Sequence, residues 1–154
     1  MRNQTGVTLI TLVITVVLLC IIAGLAITSG IDTYQNSKAI KFETYMKMIQ
    51  KKVDIILEEE RDYTALGSPL TALTGEQNDK LRNIIINNSF VETSASELNA
   101  GAVRYFSSTD IEKFLEIKDV QDDVVINFAN REVISLNGVE KDGVMHYVEL
   151  GLHQ

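Results

Sequence analysis

The hydrophobic pattern of the chain changes twice along its length. From Val7 to Ile31 it reads VTLITLVITVVLLCIIAGLAITSGI, a run of 25 uncharged residues. As a helix this run would be about 37 Å long, which exceeds the roughly 30 Å hydrocarbon core of a bilayer. A helix in a water-soluble core rarely stays apolar on every side over such a length. The pattern therefore predicts a membrane-spanning helix over residues 7–31.

A cleavable secretory signal peptide would also begin with an apolar run. Such a peptide has a shorter apolar stretch, of about 7–15 residues, and a more basic start than the single Arg2 found here. The small residues of Gly24-Leu25-Ala26 would suit a signal peptidase, which leaves open a domain secreted after Ala26. If the run is retained, Arg2 favours a cytoplasmic N-terminus and an extracellular C-terminal domain on a single-pass anchor.

Beyond Ile31 the apolar residues recur with the period of a helix. Spaced at about 100° per residue, they fall on one stripe, and charged residues fall on the opposite side. No Pro interrupts residues 7–60, so we expect one continuous helix whose second half, residues 32–60, lays one face on a domain. The stripe comprises Ile31, Tyr34, Phe42, Tyr45, Met46, Ile49, Val53 and Ile56, and the charged side Glu43, Lys47, Lys51, Asp54 and Glu58.

The next part of the chain has the signals of loops and short helices. Residues 61–75 contain the only Pro, two Gly and several Thr, which is typical of a loop. Thr74 and Gln77 have the spacing of a capping box at the start of a helix that would end near Asn87. Thr109 and Glu112 have the same spacing and predict a second, shorter helix with Ile111, Phe114 and Leu115 on one side.

Toward the C-terminus the period becomes two, which indicates strands. A short strand is expected at Val103–Phe106, and the alternating segments are Val124–Phe128, Glu132–Leu136 and Val144–Leu150. Short turn sequences, including Asn137-Gly138 and Asp142-Gly143, separate the alternating segments. The predicted fold is therefore α+β, with a long N-terminal helix packed on an antiparallel sheet of about three strands.

Composition narrows the possible function classes. A single cysteine, Cys20, excludes an intrachain disulfide and a zinc site made of Cys. The net charge of −7 argues against direct nucleic-acid binding, because phosphate contacts need clustered Lys and Arg. The sequence contains no phosphate-binding loop, zinc-protease motif or nucleophile–base set. We therefore expect neither an enzyme nor a bound cofactor.

Three nearby carboxylates are the best candidates for a metal site. Calcium prefers oxygen ligands, and acidic residues in one loop can converge on it. The spacing of Asp119, Asp122 and Asp123 does not match an EF-hand loop. We therefore predict no metal site and retain this triplet as a weak calcium candidate.

The N-terminus resembles the prepilin-type leader of type IV pilins and type II secretion pseudopilins. A short polar leader that ends in Gly, MRNQTG, precedes an uncharged helix that begins VTLITL. The resemblance covers roughly the first 30 residues and looks most like pilin-type proteins of Gram-positive, clostridia-like bacteria. Over the remainder it extends only to the architecture, because that family builds a long helix on an antiparallel sheet.

The resemblance implies a processed and assembled subunit. A membrane prepilin peptidase would cut after Gly6 and N-methylate the new terminus, Val7. The protein would then be a structural subunit of a type IV pilus or of a secretion or competence pseudopilus, and Ala23 and Gly24 would let helices approach closely. It would contain a leader (1–6), a transmembrane half-helix (7–31), an amphipathic half-helix (32–60) and an ectodomain (61–154), with the membrane and other pilin subunits as partners.

Thr11 departs from the pattern of the family. The fifth residue after the cleavage site is usually Glu, which neutralises the terminal amine of a neighbouring subunit in an apolar bundle. Thr11 therefore favours a minor or atypical subunit, or an uncleaved membrane-anchored adaptor or binding domain that does not polymerise. The hydroxyls of Thr8, Thr11 and Thr15 lie on one helix face and would bond either between helices or back to their own helix.

Overall fold

The computed structural model describes residues 5–99 and 101–149, except for the side chains of residues 5–10 and 21–32. The chain divides into two compact units, Met1–Ser37 and Lys38–Gln154. Helix α1 extends over Thr5–Glu58, so the prediction of one continuous helix is confirmed. No further helix or strand is assigned to the described residues of the first unit.

A left-handed residue ends α1 within two residues of the predicted boundary. Glu60 has a φ of 52°, a conformation that glycine usually supplies at this position. The amide of Glu60 donates to the carbonyl of Leu57 at 3.2 Å, and the amide of Arg61 donates to the carbonyl of Ile56 at 3.0 Å. These two bonds form a Schellman motif, which satisfies carbonyls of the last turn and turns the chain away.

The second unit is α+β, as the sequence predicts. After α1 come two short α-helices and six strands, with single 3-10 turns at Tyr63–Ala65, Leu70–Ala72 and Glu97–Asn99. The helices are α2 (Gly75–Asn87) and α3 (Ser108–Asp110), which continues as a π-helical turn over Ile111–Leu115. The strands are β1 (Ser68–Pro69), β2 (Val103–Phe106), β3 (Val124–Asn127), β4 (Glu132–Ser135), β5 (Val139–Lys141) and β6 (Val144–His146).

The main sheet has four antiparallel strands in the order β1-β2-β3-β4 rather than about three. The predicted pairing of the two central segments is confirmed, with Val125 opposite Ile134. The expected short strand at Val103–Phe106 is also present and pairs with β3. Strand β1 lies within the predicted loop, and its Pro69 is compatible with an edge position because an edge strand need not donate that N–H.

The predicted third strand, Val144–Leu150, is wrong in length and in partner. Its first residues form β6, which pairs with β5 in a separate two-stranded sheet. Asp142 and Gly143 both have positive φ, as a two-residue type I′ turn requires, and this turn folds the chain back onto β5. Just after β6 the chain bonds to β4, where the amide of Ser135 donates to the carbonyl of Tyr147 at 2.7 Å.

One of the two predicted capping boxes is correct. Thr74 and Gln77 cap α2 reciprocally, as expected. The second box is formed by Ser107 and Asp110, two residues before the predicted Thr109 and Glu112. Strand β2 ends at Phe106, so Ser107 is the first residue available as a cap, and the helix starts there.

The sheet is buried on both faces, which explains why all four residues of β3 are buried. One core cluster joins α1 to Phe106, Val124 and Ile126. The other joins α2 to Val125 and Ile134 on the opposite face. The sheet therefore forms the middle layer between α1 and α2.

The predicted stripe of α1 is confirmed within the second unit. Five of its members are buried and Tyr45 is half-buried against the same core, whereas no residue of the predicted charged side is buried. The prediction is wrong for Tyr34, which is 61% exposed, because it lies in the first unit and the core begins at Ala39. The side chain of Ile31 lies outside the described residues.

Among the residues that the structure describes, no helix offers a stretch that is both long and apolar enough to cross a membrane. The predicted span, Val7–Ile31, has described side chains only at residues 11–20. The side chains of residues 7–10 and 21–31, on which the rest of that prediction depends, lie outside the described ones.

Candidate functional site

The described side chains of residues 11–20 form an uncovered apolar surface in the first unit. Consecutive helical residues point about 100° apart, so apolar side chains occur on every side of this segment. Large exposed apolar surfaces in proteins mark contacts with other proteins or with membranes. Seven large apolar side chains are between 51% and 65% exposed: Leu12, Val13, Ile14, Val16, Val17, Leu18 and Leu19.

A second uncovered surface lies on α1 within the second unit, on the side opposite the core. Ile40, Thr44, Met48, Lys51 and Ile55 fall within about 80° of one another around the helix, and we call them the outer helix face. Its three large apolar side chains are exposed, Ile40 by 64%, Met48 by 46% and Ile55 by 44%. The buried stripe explains how α1 binds its own domain, whereas these exposed residues contribute nothing to that core.

The part of α1 within the second unit carries more basic than acidic side chains. Residues 38–58 contain five Lys and three acidic residues. Lys47 donates to Glu43 at 2.6 Å, and this hydrogen bond lowers the pKa of the Glu43 carboxyl. Lys52 lies 3.2 Å from Glu116. Of the three others, Lys38 does interact within the chain, whereas Lys41 and Lys51 form no salt bridge with any described residue.

An acidic groove lies along the flank of the same part of α1. It has a volume of about 380 Å³ and lies between α1, the β3–β4 turn and the segment after β6. Arg131 lines it and pairs with Asp54 at 3.3 Å. Glu132 accepts hydrogen bonds from the amides of Glu92 and Thr93 at 2.7 and 2.6 Å. Four carboxylates line the groove, those of Asp54, Glu92, Glu132 and Glu149.

Asp122 is a buried acceptor that ties α1 to the sheet. Its Oδ2 accepts from the hydroxyls of Tyr45, at 3.2 Å, and of Ser135. Its Oδ1 accepts from the Asn137 side-chain amide at 2.7 Å and from the Asn137 backbone amide at 3.3 Å. Burial raises the pKa of Asp122 and that of Tyr45. Asp122 and Ser135 are both buried, so these hydrogen bonds join α1 to the sheet within the core.

Asp123 belongs to a hydrogen-bond network different from that of Asp122. Its carboxylate accepts from the Tyr105 hydroxyl at 2.7 Å, from the Gln77 amide at 3.2 Å and from the Ser108 backbone amide at 3.0 Å. Burial raises the pKa of Tyr105 to about 12. These bonds join α2, β2 and the start of α3 on the opposite side of the sheet from α1.

The structure does not bring the three predicted calcium ligands together. Asp122 and Asp123 are consecutive and face different networks, while Asp119 is exposed with a φ of 62°. Within residues 5–99 and 101–149, no three His, Cys, Asp or Glu side chains are grouped so that they could hold a metal ion.

Replacing Asp122 with Asn is expected to lower the free energy of unfolding by about 1–3 kcal/mol. Four donors face the two oxygens of Asp122, and an amide has only one acceptor oxygen for them. Urea unfolding of the full chain measures the change. Asp119→Asn, at an exposed site in the same loop, is the matched control and should change it by less than about 0.5 kcal/mol.

The same comparison tests the raised pKa of Asp122. A carboxyl whose pKa is higher in the folded state binds a proton there first, so its contribution to stability grows as pH falls through the folded pKa. It becomes constant below the unfolded value of about 3.9. The advantage of the wild type over Asp122→Asn should therefore widen between about pH 7 and pH 4. A difference that is constant with pH contradicts this assignment.

The predicted processing and packing residues lie mostly outside the described side chains. This applies to Gly6, Val7, Thr8, Ala23 and Gly24, whose predicted roles remain predictions. Thr15 is described, and its hydroxyl donates to the carbonyl of Leu12 at 2.8 Å, which is a bond within its own helix. Thr11 is exposed and does interact within the chain.

Neither surface of the second unit was among the features predicted from the sequence. Ile40, Met48 and Ile55 were visible as apolar residues on the polar side of the predicted helix, and that signal was enough to find the outer helix face. The acidic groove had no such signal. Its residues come from α1, from a loop at Glu92, from the β3–β4 turn and from the segment at Glu149, which only the fold brings together.

Comparison of this chain with protein-family models, with curated proteins and with solved structures finds no match.

Proposed function

We propose that this protein is a structural subunit, of a minor or atypical kind, of a type IV pilus or of a type II secretion or competence pseudopilus. In this proposal α1 anchors the subunit in the membrane before assembly and packs against other subunits afterwards. The second unit is then the extracellular, surface-forming part. The subunit is processed after Gly6 and N-methylated at Val7.

The exposed apolar side chains of residues 11–20 are the observation that supports this proposal most. At 51–65% exposure they are not covered by the described chain, and leaving them in water is unfavourable by roughly 25 cal/mol for each Å². Lipid before assembly and neighbouring helices after assembly both remove that surface from water. A subunit that moves from a membrane to a filament needs such a segment in both states.

The outer helix face supports the filament more than the anchor. It lies in the second unit, beyond the predicted span, so lipid would not cover its three apolar side chains. Neighbouring subunits packed around α1 would cover them. The proposal therefore gives a role to an exposed surface that a plain anchored domain leaves unexplained.

A second candidate is an uncleaved, single-pass membrane adaptor that does not polymerise. Thr11 favours it, because the family usually has Glu there to neutralise a terminal amine. The bond of Thr15 to its own helix also favours it, since that hydroxyl is then less available for a neighbouring helix. In this candidate the chain is anchored in the membrane but does not assemble into a filament.

The intact mass of the protein from its native membrane, with N-terminal peptide sequencing, separates these candidates. The proposal expects a chain that starts at Val7, about 0.7 kDa lighter than the full sequence and with one added methyl group. A chain that still begins with the leader supports the adaptor and contradicts the proposal. A start after Ala26 indicates a secreted domain and contradicts both.

A further inference from the structure

We propose that the acidic groove of one copy of this chain receives the unpaired lysines, Lys41 and Lys51, of the α1 helix of the next copy. The inference rests on the proposed function and deepens it, because it names the surfaces through which second units meet. The partner it names is a second copy of this chain.

Charge complementarity within one chain supports this pairing. Residues 38–58 contain five basic and three acidic residues, whereas residues 59–154 contain eight basic and seventeen acidic ones. The groove has four carboxylates and one guanidinium along its walls, and the carboxylate of Glu92 accepts no hydrogen bond from a described residue. A groove with this excess of negative charge attracts a cationic surface, and the basic side of α1 is one.

Lys41 and Lys51 lie on a different side of α1 from the groove, whereas Lys47 of the same helix does reach it and lies 3.9 Å from Glu149. Met46, Gln50 and Asp54 place the groove on a flank of α1 that is about 120° around the helix from the outer helix face. Consistent with this, neither Lys41 nor Lys51 forms a salt bridge with a described residue of its own chain. Both lysines are exposed and therefore accessible to carboxylates of another molecule.

The geometry also determines what kind of assembly results. Two different surfaces meet, so the contact is heterologous, and each added copy presents a free groove or a free lysine face to the next. Contacts of this kind produce open helical filaments unless the rotation closes a ring. Exposed ion pairs are individually weak, so we expect this contact to set the register of neighbouring copies while the apolar helices supply most of the affinity.

Charge reversal of each surface in the full chain tests the inference. One variant reverses the lysines, with Lys41→Glu and Lys51→Glu. The other reverses the groove, with Gln50→Lys, Asp54→Lys and Glu92→Lys, which leaves two carboxylates against four basic side chains; of the three replaced side chains only Asp54 has a described partner, in its exposed ion pair with Arg131. Alone, each variant brings like charges together and should reduce the filament fraction, measured by sedimentation of sheared surface material, by about tenfold or more.

Co-expression of the two variants provides the decisive result. The helix of the lysine variant, now acidic, then meets the groove of the groove variant, now basic. The unchanged lysines of the groove variant meet the unchanged acidic groove of the lysine variant. Alternating copies should restore the filament fraction to within about twofold of the wild type, which neither misfolding nor a general charge effect can produce. Lys118→Glu with Glu112→Lys, at exposed sites outside both surfaces, is the matched control and should assemble normally.

The outcomes separate this inference from the function on which it rests. Wild-type filaments that persist in both single-surface variants overturn the inference and leave the proposed function intact. Variants that fail alone and also fail together overturn it as well. If the wild-type chain is absent from sheared filaments altogether, the inference and the proposed function are both overturned.

Discussion

Ile49→Ala is expected to lower the free energy of unfolding of the second unit by about 2–5 kcal/mol. Ile49 lies on α1, is fully buried and belongs to the core cluster that joins the helix to the sheet. Truncation removes apolar contacts and leaves a cavity that the surrounding residues fill only in part. For a domain of this size such a loss is a large fraction of the total stability.

Ile55→Ala is the matched control, since it removes the same atoms from the same helix. Ile55 lies on the outer helix face and is 44% exposed, so we expect a change below about 0.5 kcal/mol in the isolated subunit. Urea unfolding of the full chain in mild detergent measures both values. Equal losses at the two positions would contradict the assignment of one face to the core and the other to solvent.

Helix α1 and the fold class were predictable because their signals are local. A long stretch without Pro and a stripe repeating with the helical period identify a helix and its buried face. Thr74 and Gln77 identify the start of α2 by three-residue spacing alone. In each case the physical cause lies within one or two turns of the residue concerned.

The sheet was less predictable because its pairing depends on distant residues. Val144 was assigned to the main sheet from its alternation, which indicates a strand and does not identify the partner strand. The Asp142-Gly143 turn decided the pairing in favour of Val139–Lys141. Ser107 and Thr109 both began sequences with capping-box spacing, and the end of β2 determined which of them became the cap.

The two candidate surfaces also differ in whether their signal is local in the sequence. The outer helix face follows from helical spacing in the sequence, whereas the acidic groove combines Asp54 with Glu132 and Glu149, which are far apart in the chain. Asp122 and Asp123 show most clearly where prediction from the sequence fails. Adjacent in sequence, they looked like partners in one calcium site, but consecutive residues point in different directions and each carboxylate serves its own network.

Val16→Arg is expected to reduce the amount of chain in membranes and in sheared filaments by about fiftyfold or more. Val16 lies in the exposed apolar segment, and an Arg near the centre of a membrane helix costs about 2.5–3.5 kcal/mol on insertion scales. An unpaired charge buried among apolar helices of neighbouring subunits is also unfavourable. Val16→Leu keeps the segment apolar and should behave like the wild type within about twofold.

The result is informative because Val16 belongs to the first unit and is not part of the core of the second. Both variants should therefore give the wild-type urea midpoint, which separates a loss of membrane or filament contact from a loss of folding. If Val16→Arg is recovered in membranes and filaments as efficiently as Val16→Leu, then neither lipid nor neighbouring helices cover this segment. The apolar surface of residues 11–20 would then need another explanation, and the proposed subunit would lose the observation that supports it most.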